Sequence, residues 1–185
     1  MRRTVATTTQ QASHEIRDLL QSILAVELLD PPACLWLVSA WISDAVVLDN
    51  SGGEFSGLVP SWPQRALVLS EVLAEFLAAE TQVVVVTNDH DANRPFRTSF
   101  HAATEAVDAR PNILFESAEQ LTTNTERGLH RKRLVTPRIV MWGSMNFTYH
   151  GLARNAEDVS VETDAETVAR AVNEMEQLYP AGGKP

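Results

Sequence analysis

The sequence predicts an α/β domain, a sheet covered by helices. Three observations predict it. Apolar residues recur at helical spacing in several long segments. Short apolar runs of strand length lie between them. The two kinds of segment alternate through the first two thirds of the chain, and a pair of strands joined by a tight turn follows.

The elements follow in order. Ile16, Leu19, Leu20, Ile23 and Leu24 mark a helix over residues 13–29, which Asp30, Pro31 and Pro32 stop. Residues 34–41 form an apolar run behind a proline pair and read as a buried strand. Residues 49–63 hold three glycines and two prolines and read as a loop. Ser61 and Gln64 have capping-box spacing, which predicts a helix through Leu67, Val68, Val72, Leu73, Phe76 and Leu77. Residues 83–87 are a second buried strand, and residues 88–93 a turn-rich loop. A weaker helix covers 96–107, and residues 113–115 are a third strand. Residues 129–135 and 138–143 read as strands meeting at Thr136-Pro137. Residues 159–161 are one more strand. Thr163 and Glu166 open a last helix through Val168, Val172, Met175 and Leu178. The organisation expected is a flexible stretch over 1–12, one domain over 13–180 and a frayed tail over 181–185.

Composition narrows the function. The 185 residues are 44% hydrophobic and 21% charged, too apolar for a disordered chain. Fifteen Lys and Arg against 24 Asp and Glu give a net charge of −9, which excludes a generally basic nucleic-acid binder. A single cysteine, Cys34, excludes an internal disulfide framework and reads as a packing residue. No apolar run reaches membrane-helix length, and the basic start lacks the apolar core of a secretory signal. A cytoplasmic protein without a membrane partner is the expectation.

The chemistry concentrates late in the chain. His130 and Lys132 stand two apart in a strand pattern, which sends both side chains to one face. Residues 127–138 hold five of the fifteen basic groups (Arg127, Arg131, Lys132, Arg133 and Arg138) and no acid. The only other lysine is Lys184, so a lysine beside this histidine looks selected over arginine, as a compact charge for one phosphate oxygen. These residues imply a phosphodiester site. A histidine can attack phosphorus or protonate a leaving oxygen. Lys132, with the hydroxyl of Ser144 and the amide of Asn146, can neutralise oxygens as charge builds. Glu157 can accept from the second ring nitrogen of His130 and set its tautomer. No metal-ligand spacing accompanies them, and no cofactor is expected.

The segment resembles the signature of the phospholipase D superfamily, His-x-Lys-x4-Asp, then Gly-Ser-x-Asn, then Asn-x-Glu. The matching positions are His130, Lys132, Gly143, Ser144, Asn146, Asn155 and Glu157, and the run from Gly143 to Thr148 is similar to that of single-motif bacterial endonucleases of that superfamily. The motif aspartate is missing, because the turn reads Thr136-Pro137 and is one residue shorter. The resemblance implies a phospholipase D-like mixed sheet flanked by helices, with one motif per chain. Members carry two motifs per active site, so it also implies a two-fold homodimer with both copies of His130 facing one cleft. One histidine would form a phosphohistidine while the other protonates the leaving group.

Catalysis is thus expected from His130, Lys132, Ser144, Asn146 and Glu157, with Ser39, Gly143, Arg127 and Asn155 touching substrate. Ser39 enters because α/β proteins place ligands at strand ends. The plain alternatives are a partly exposed strand histidine at 130 and a solvated strand edge for Arg131 and Arg133, which alternation turns away from Lys132. Trp36 and Trp41 read as core or interface, with base stacking the lesser alternative. His14, His90, His101 and His150 read as surface or loop residues. The leading function is a metal-independent nuclease acting on DNA or RNA as a homodimer, with protein partners of an antiphage defence complex implied by resemblance. Its competitors are a phospholipid phosphodiesterase or phosphatidyl transferase, and a dimeric scaffold subunit without turnover.

Overall fold

The computed structural model describes residues 2–6, 10–108 and 129–181. A six-stranded sheet forms from β1 (Arg2–Ala6), β2 (Cys34–Ser39), β5 (Gln82–Val86), β6 (Lys132–Val135), β7 (Val140–Gly143) and β8 (Asp158–Glu162), in the order β1-β8-β7-β6-β2-β5. Only β2 and β5 run parallel; every other neighbouring pair is antiparallel, so the sheet is mixed.

Alternation along β2 divides the core in two. Leu35 and Leu37 enter the larger core, which takes the apolar faces of α1 (Gln10–Leu29), α2 (Leu69–Ala78), α3 (Arg94–Ala106) and α4 (Tyr149–Ala153). Cys34, Trp36 and Val38 point to the other side, where Val168, Met175 and Tyr179 pack from α5 (Ala165–Leu178) and the residue after it. Trp36 is fully buried there and donates Nε1–H to the Tyr179 carbonyl at 2.9 Å. Burial holds the Cys34 thiol, with the Glu176 charge adding to it, up at about 11, so it stays protonated and inert.

Several expectations need correction. Residues 2–6, expected to be flexible, form β1 on the outer edge of β8, where Thr4 and Ser160 share a 3.0 Å hydroxyl bond. The helix expected to open at Ser61 and Gln64 starts only at Leu69. Residues 66–68 form β4, which pairs with β3 (Val46–Asp49) in a separate two-stranded sheet. The α2 N-terminus is instead satisfied from a distance. Asp44 accepts from the Ser70 N–H and hydroxyl, both at 2.9 Å, and Glu71 accepts from the Val68 N–H at 3.2 Å. The last helix is capped one residue later than expected, by Asp164, whose carboxylate accepts from the Thr167 N–H at 3.0 Å. The strand expected over 113–115 lies outside the described residues, as do residues 182–185 of the expected tail. No described helix is long and apolar enough to cross a membrane.

Candidate functional site

The site grows from one end of the sheet. The C-terminal ends of β2, β5 and β7 and the N-terminal starts of β6 and β8 all arrive there. Ser39, the last residue of β2, stands opposite Lys132, the first of β6. Lys132 shares its parity with Leu134 of the larger core, and Ser39 shares its parity with Leu35 and Leu37. Both therefore face the side covered by α1 to α4. Arg133 takes the opposite face, where it binds Glu174 of α5 at 2.5 Å, and Arg131 pairs with the same carboxylate. Burial works to raise the Glu174 carboxyl, but these two guanidinium groups outweigh it and hold it below the usual range.

His130 lies outside the strand. Ser39 ends β2 and Gly143 ends β7, so no backbone ladder extends to residue 130, and strand alternation does not orient its ring. The imidazole is exposed, and the backbone carbonyl of His130 accepts from Lys132 Nζ at 2.8 Å. That bond fixes the ammonium beside the histidine while using one of its three donors. Burial lowers the Lys132 pKa below the ordinary lysine value, and the nearby Glu157 carboxylate opposes that fall.

After β7 the chain makes a close approach that only glycine permits. A Cβ on Gly143 would lie 1.9 Å from the Asp158 carbonyl oxygen, at the start of the neighbouring strand. Ser144 then closes a reciprocal pair. Its N–H donates to the Asp158 carbonyl and its hydroxyl accepts from the Asp158 N–H, each at 3.0 Å. The same hydroxyl donates to Glu157 Oε2, and Asn155 Nδ2 donates to Glu157 Oε1 at 3.2 Å. Ser144 and Asn155 therefore hold the carboxylate. Glu157 thus takes bonds from Ser144 and Asn155, and the Ser144 hydroxyl lies beneath that carboxylate.

Ser39 is also corrected from a substrate contact to a support, because it is fully buried. Its hydroxyl lies 2.8 Å from the Trp41 carbonyl and 3.2 Å from Asn146 Oδ1, dividing one proton between them. Asn146 is thereby held by its oxygen, which leaves the amide N–H groups to face outward as donors. Arg127 lies outside the described residues.

Sequence reading missed one residue that organises the rim. Asn93, fully buried, shares the two hydrogens of its Nδ2 among the Ala40 carbonyl at 3.0 Å, Thr87 Oγ1 at 2.9 Å and the Asn88 carbonyl at 2.8 Å. Its Oδ1 accepts from the Ile42 N–H at 2.9 Å. One amide thus pins the chain leaving β2 to the chain leaving β5. In turn-rich sequence an asparagine is ordinary, so nothing but burial could single it out. Among the described residues no three His, Cys, Asp or Glu side chains gather as a metal site.

One end of this mixed α/β sheet thus gathers a histidine, a lysine, an asparagine and a supported carboxylate. The chain belongs to the phospholipase D-like family of phosphodiesterases: residues 47–179 match the model described as "Cardiolipin synthase, PLD-like domain". Its fold is similar to that of Nuc from Salmonella typhimurium, a phospholipase D family member, at 12% identity over 96% of this chain and 92% of that one, with a TM-score of 0.56. NucT from Helicobacter pylori is similar over 98% of this chain and 96% of that one, at 15% identity and a TM-score of 0.56. Phosphatidylserine synthase from Haemophilus influenzae is similar at 14% identity over 98% of this chain but 40% of that one, with a TM-score of 0.54. A search of curated proteins finds no match.

Proposed function

We propose that this chain hydrolyses nucleic-acid phosphodiester bonds through a phosphohistidine, in a homodimer whose two motifs share one cleft. The observation that carries the reading is the placement of Lys132 against the His130 carbonyl, beside an Asn146 whose oxygen is tied back to Ser39. On this reading the Lys132 ammonium and the Asn146 amide supply the donors that a phosphoryl group with charge on its non-bridging oxygens requires.

The steps balance with two histidines. His130 attacks phosphorus, the P–O bond to the leaving strand breaks, and His130 of the partner subunit gives that oxygen its proton. The same partner imidazole then takes a proton from water, whose oxygen displaces the nitrogen and regenerates both rings. Glu157 sustains the charge of Lys132. With a net charge of −9, capture depends on this local cationic site or on delivery by a partner protein, as in an antiphage complex.

The match to a cardiolipin synthase model supports a second reading, phosphatidyl transfer or hydrolysis. One assay separates them. Purified protein is incubated in EDTA with single- and double-stranded DNA and RNA, and with phosphatidylglycerol vesicles, beside His130→Ala and with the mass measured by light scattering. EDTA-resistant nucleic-acid cleavage by a dimer, lost in the variant, is the expected result. Turnover of lipid alone selects the second reading, and no turnover of either by a clean dimer selects a scaffold.

A further inference from the structure

Among the described residues, the large aromatic side chains that remain exposed are Trp41, at 38%, and Tyr149, at 51%. Both flank Asn146. Ile42 bridges to Phe147 in parallel, the Ser43 N–H donates to the Phe147 carbonyl at 2.9 Å, and the Tyr149 N–H donates to Ser43 Oγ at 2.8 Å. Ile42 and Phe147 are buried at that bridge, while Trp41 beside it stays exposed and Asn146 is half-buried.

Each ring has a neighbour that orders it, and the cation beside Tyr149 lies over one face of that ring, leaving the other face for a base. The His90 ring meets Trp41 edge-on, with centroids 4.7 Å apart, and His90 is itself fixed by the Ala92 N–H at 3.1 Å on Nδ1. The Arg154 guanidinium sits 5.3 Å from the Tyr149 ring centroid, and His150 meets that ring edge-on at 5.7 Å. Exposed rings ordered before any ligand arrives lose little freedom on stacking, and a cation over one of them suits a polyanion.

We propose that Trp41 and Tyr149 are stacking platforms for unpaired bases on the two sides of the reacting phosphate, so that the substrate is a single-stranded nucleic acid. The proposal rests on the nucleic-acid reading above and specifies its substrate. A duplex keeps its base faces stacked on one another, whereas every unpaired base presents a face to a ring.

The test is equilibrium binding with His130→Ala protein, which removes turnover. Two ligands are compared: oligothymidylate and a chain of the same length built from abasic tetrahydrofuran sites. Adding Trp41→Ala or Tyr149→Ala should weaken oligothymidylate binding about tenfold each and leave the abasic chain unchanged. Trp41→Phe and Tyr149→Phe, which keep a ring, should restore most of the affinity, and a blunt duplex should be indifferent to all four variants.

Equal loss on both ligands, no loss on either, or a change of mass by light scattering would overturn the proposal; the last would make the rings part of an interface between copies. Cleavage by the unaltered protein is scored separately. Ring-dependent binding without cleavage keeps the subsite and removes the nuclease reading, while cleavage without ring dependence does the reverse.

Discussion

The two ends of the β6–β7 hairpin are built in opposite ways. At the turn every strong polar group is answered. Thr136 Oγ1 accepts from the Arg138 and Ile139 N–H groups at 3.2 and 3.1 Å and donates to Glu27 Oε1 at 3.1 Å. Glu27, fully buried on α1, also takes Arg138 at 2.8 Å, and Arg138 reaches Asp30 at 2.6 Å. At the other end Lys132 is half-buried and the His130 ring faces solvent. One end is saturated with partners inside the protein, and the other keeps donors for something outside it. On the proposed function, the contrast assigns fixation to the turn and chemistry to the strand ends.

The largest expected effect breaks the reactive end. On the proposed mechanism, His130→Ala should abolish cleavage, by about 10³-fold or more, and Lys132→Ala should cost about 10²- to 10³-fold, as losing one preorganised charge donor does. Both variants should melt within a few degrees of the parent, which differential scanning calorimetry checks. Unfolding of either would move that residue to the structural side of the comparison.

Breaking the saturated end should do the reverse. Glu27→Ala should lower the unfolding free energy by about 1–2 kcal/mol, because Thr136 and the half-exposed Arg138 lose a buried acceptor while Arg138 keeps Asp30. Urea titration measures it, and a change under about 0.5 kcal/mol, the scale of ordinary surface substitutions, would empty the contrast. Gly143→Ala should cost about 2 kcal/mol or more, since the new methyl meets the Asp158 carbonyl oxygen and the strand must shift.

The smallest effect is a shift in pH dependence. Lys132 is already below the ordinary lysine pKa through burial, and Glu157 opposes that fall. Glu157→Gln removes the opposition, so the ammonium should lose its proton at lower pH still. The alkaline limb of the rate profile should therefore move to lower pH. A depressed lysine pKa also works against folding while the ammonium is charged, a penalty relieved as pH rises from the folded toward the unfolded value. An unmoved alkaline limb would separate Glu157 from Lys132.

The sequence made the strands and helices legible where periodicity was long. It concealed β3 and β4 because a three-residue strand has no period of its own, and the apolar residues of β4 run straight into those of α2. The capping boxes misled for one reason in both places. Ser61 and Thr163 have the right spacing, but Asp44 reaches the α2 N-terminus from 26 residues away and Asp164 stands one residue nearer α5. At the site, residue identity and spacing located Lys132, Asn146 and the Ser144–Glu157 pair, but not their bonds. Strand alternation cannot reach His130, whose ladder has ended, and spacing says nothing of Glu27, which enters the turn across 109 residues. The turn lacks the motif aspartate, and a carboxylate reaches its Thr136 from α1 instead.

Asn93 has a mechanical meaning. The segments that leave β2 and β5 are pinned to the two ends of one amide, so neither can swing open alone. Ala40 and Ile42, on either side of Trp41, are both fastened to it. Anything that lodges beside that indole meets a wall that yields as one piece, and a push felt at residues 88–93 arrives at Ser39 through the backbone between.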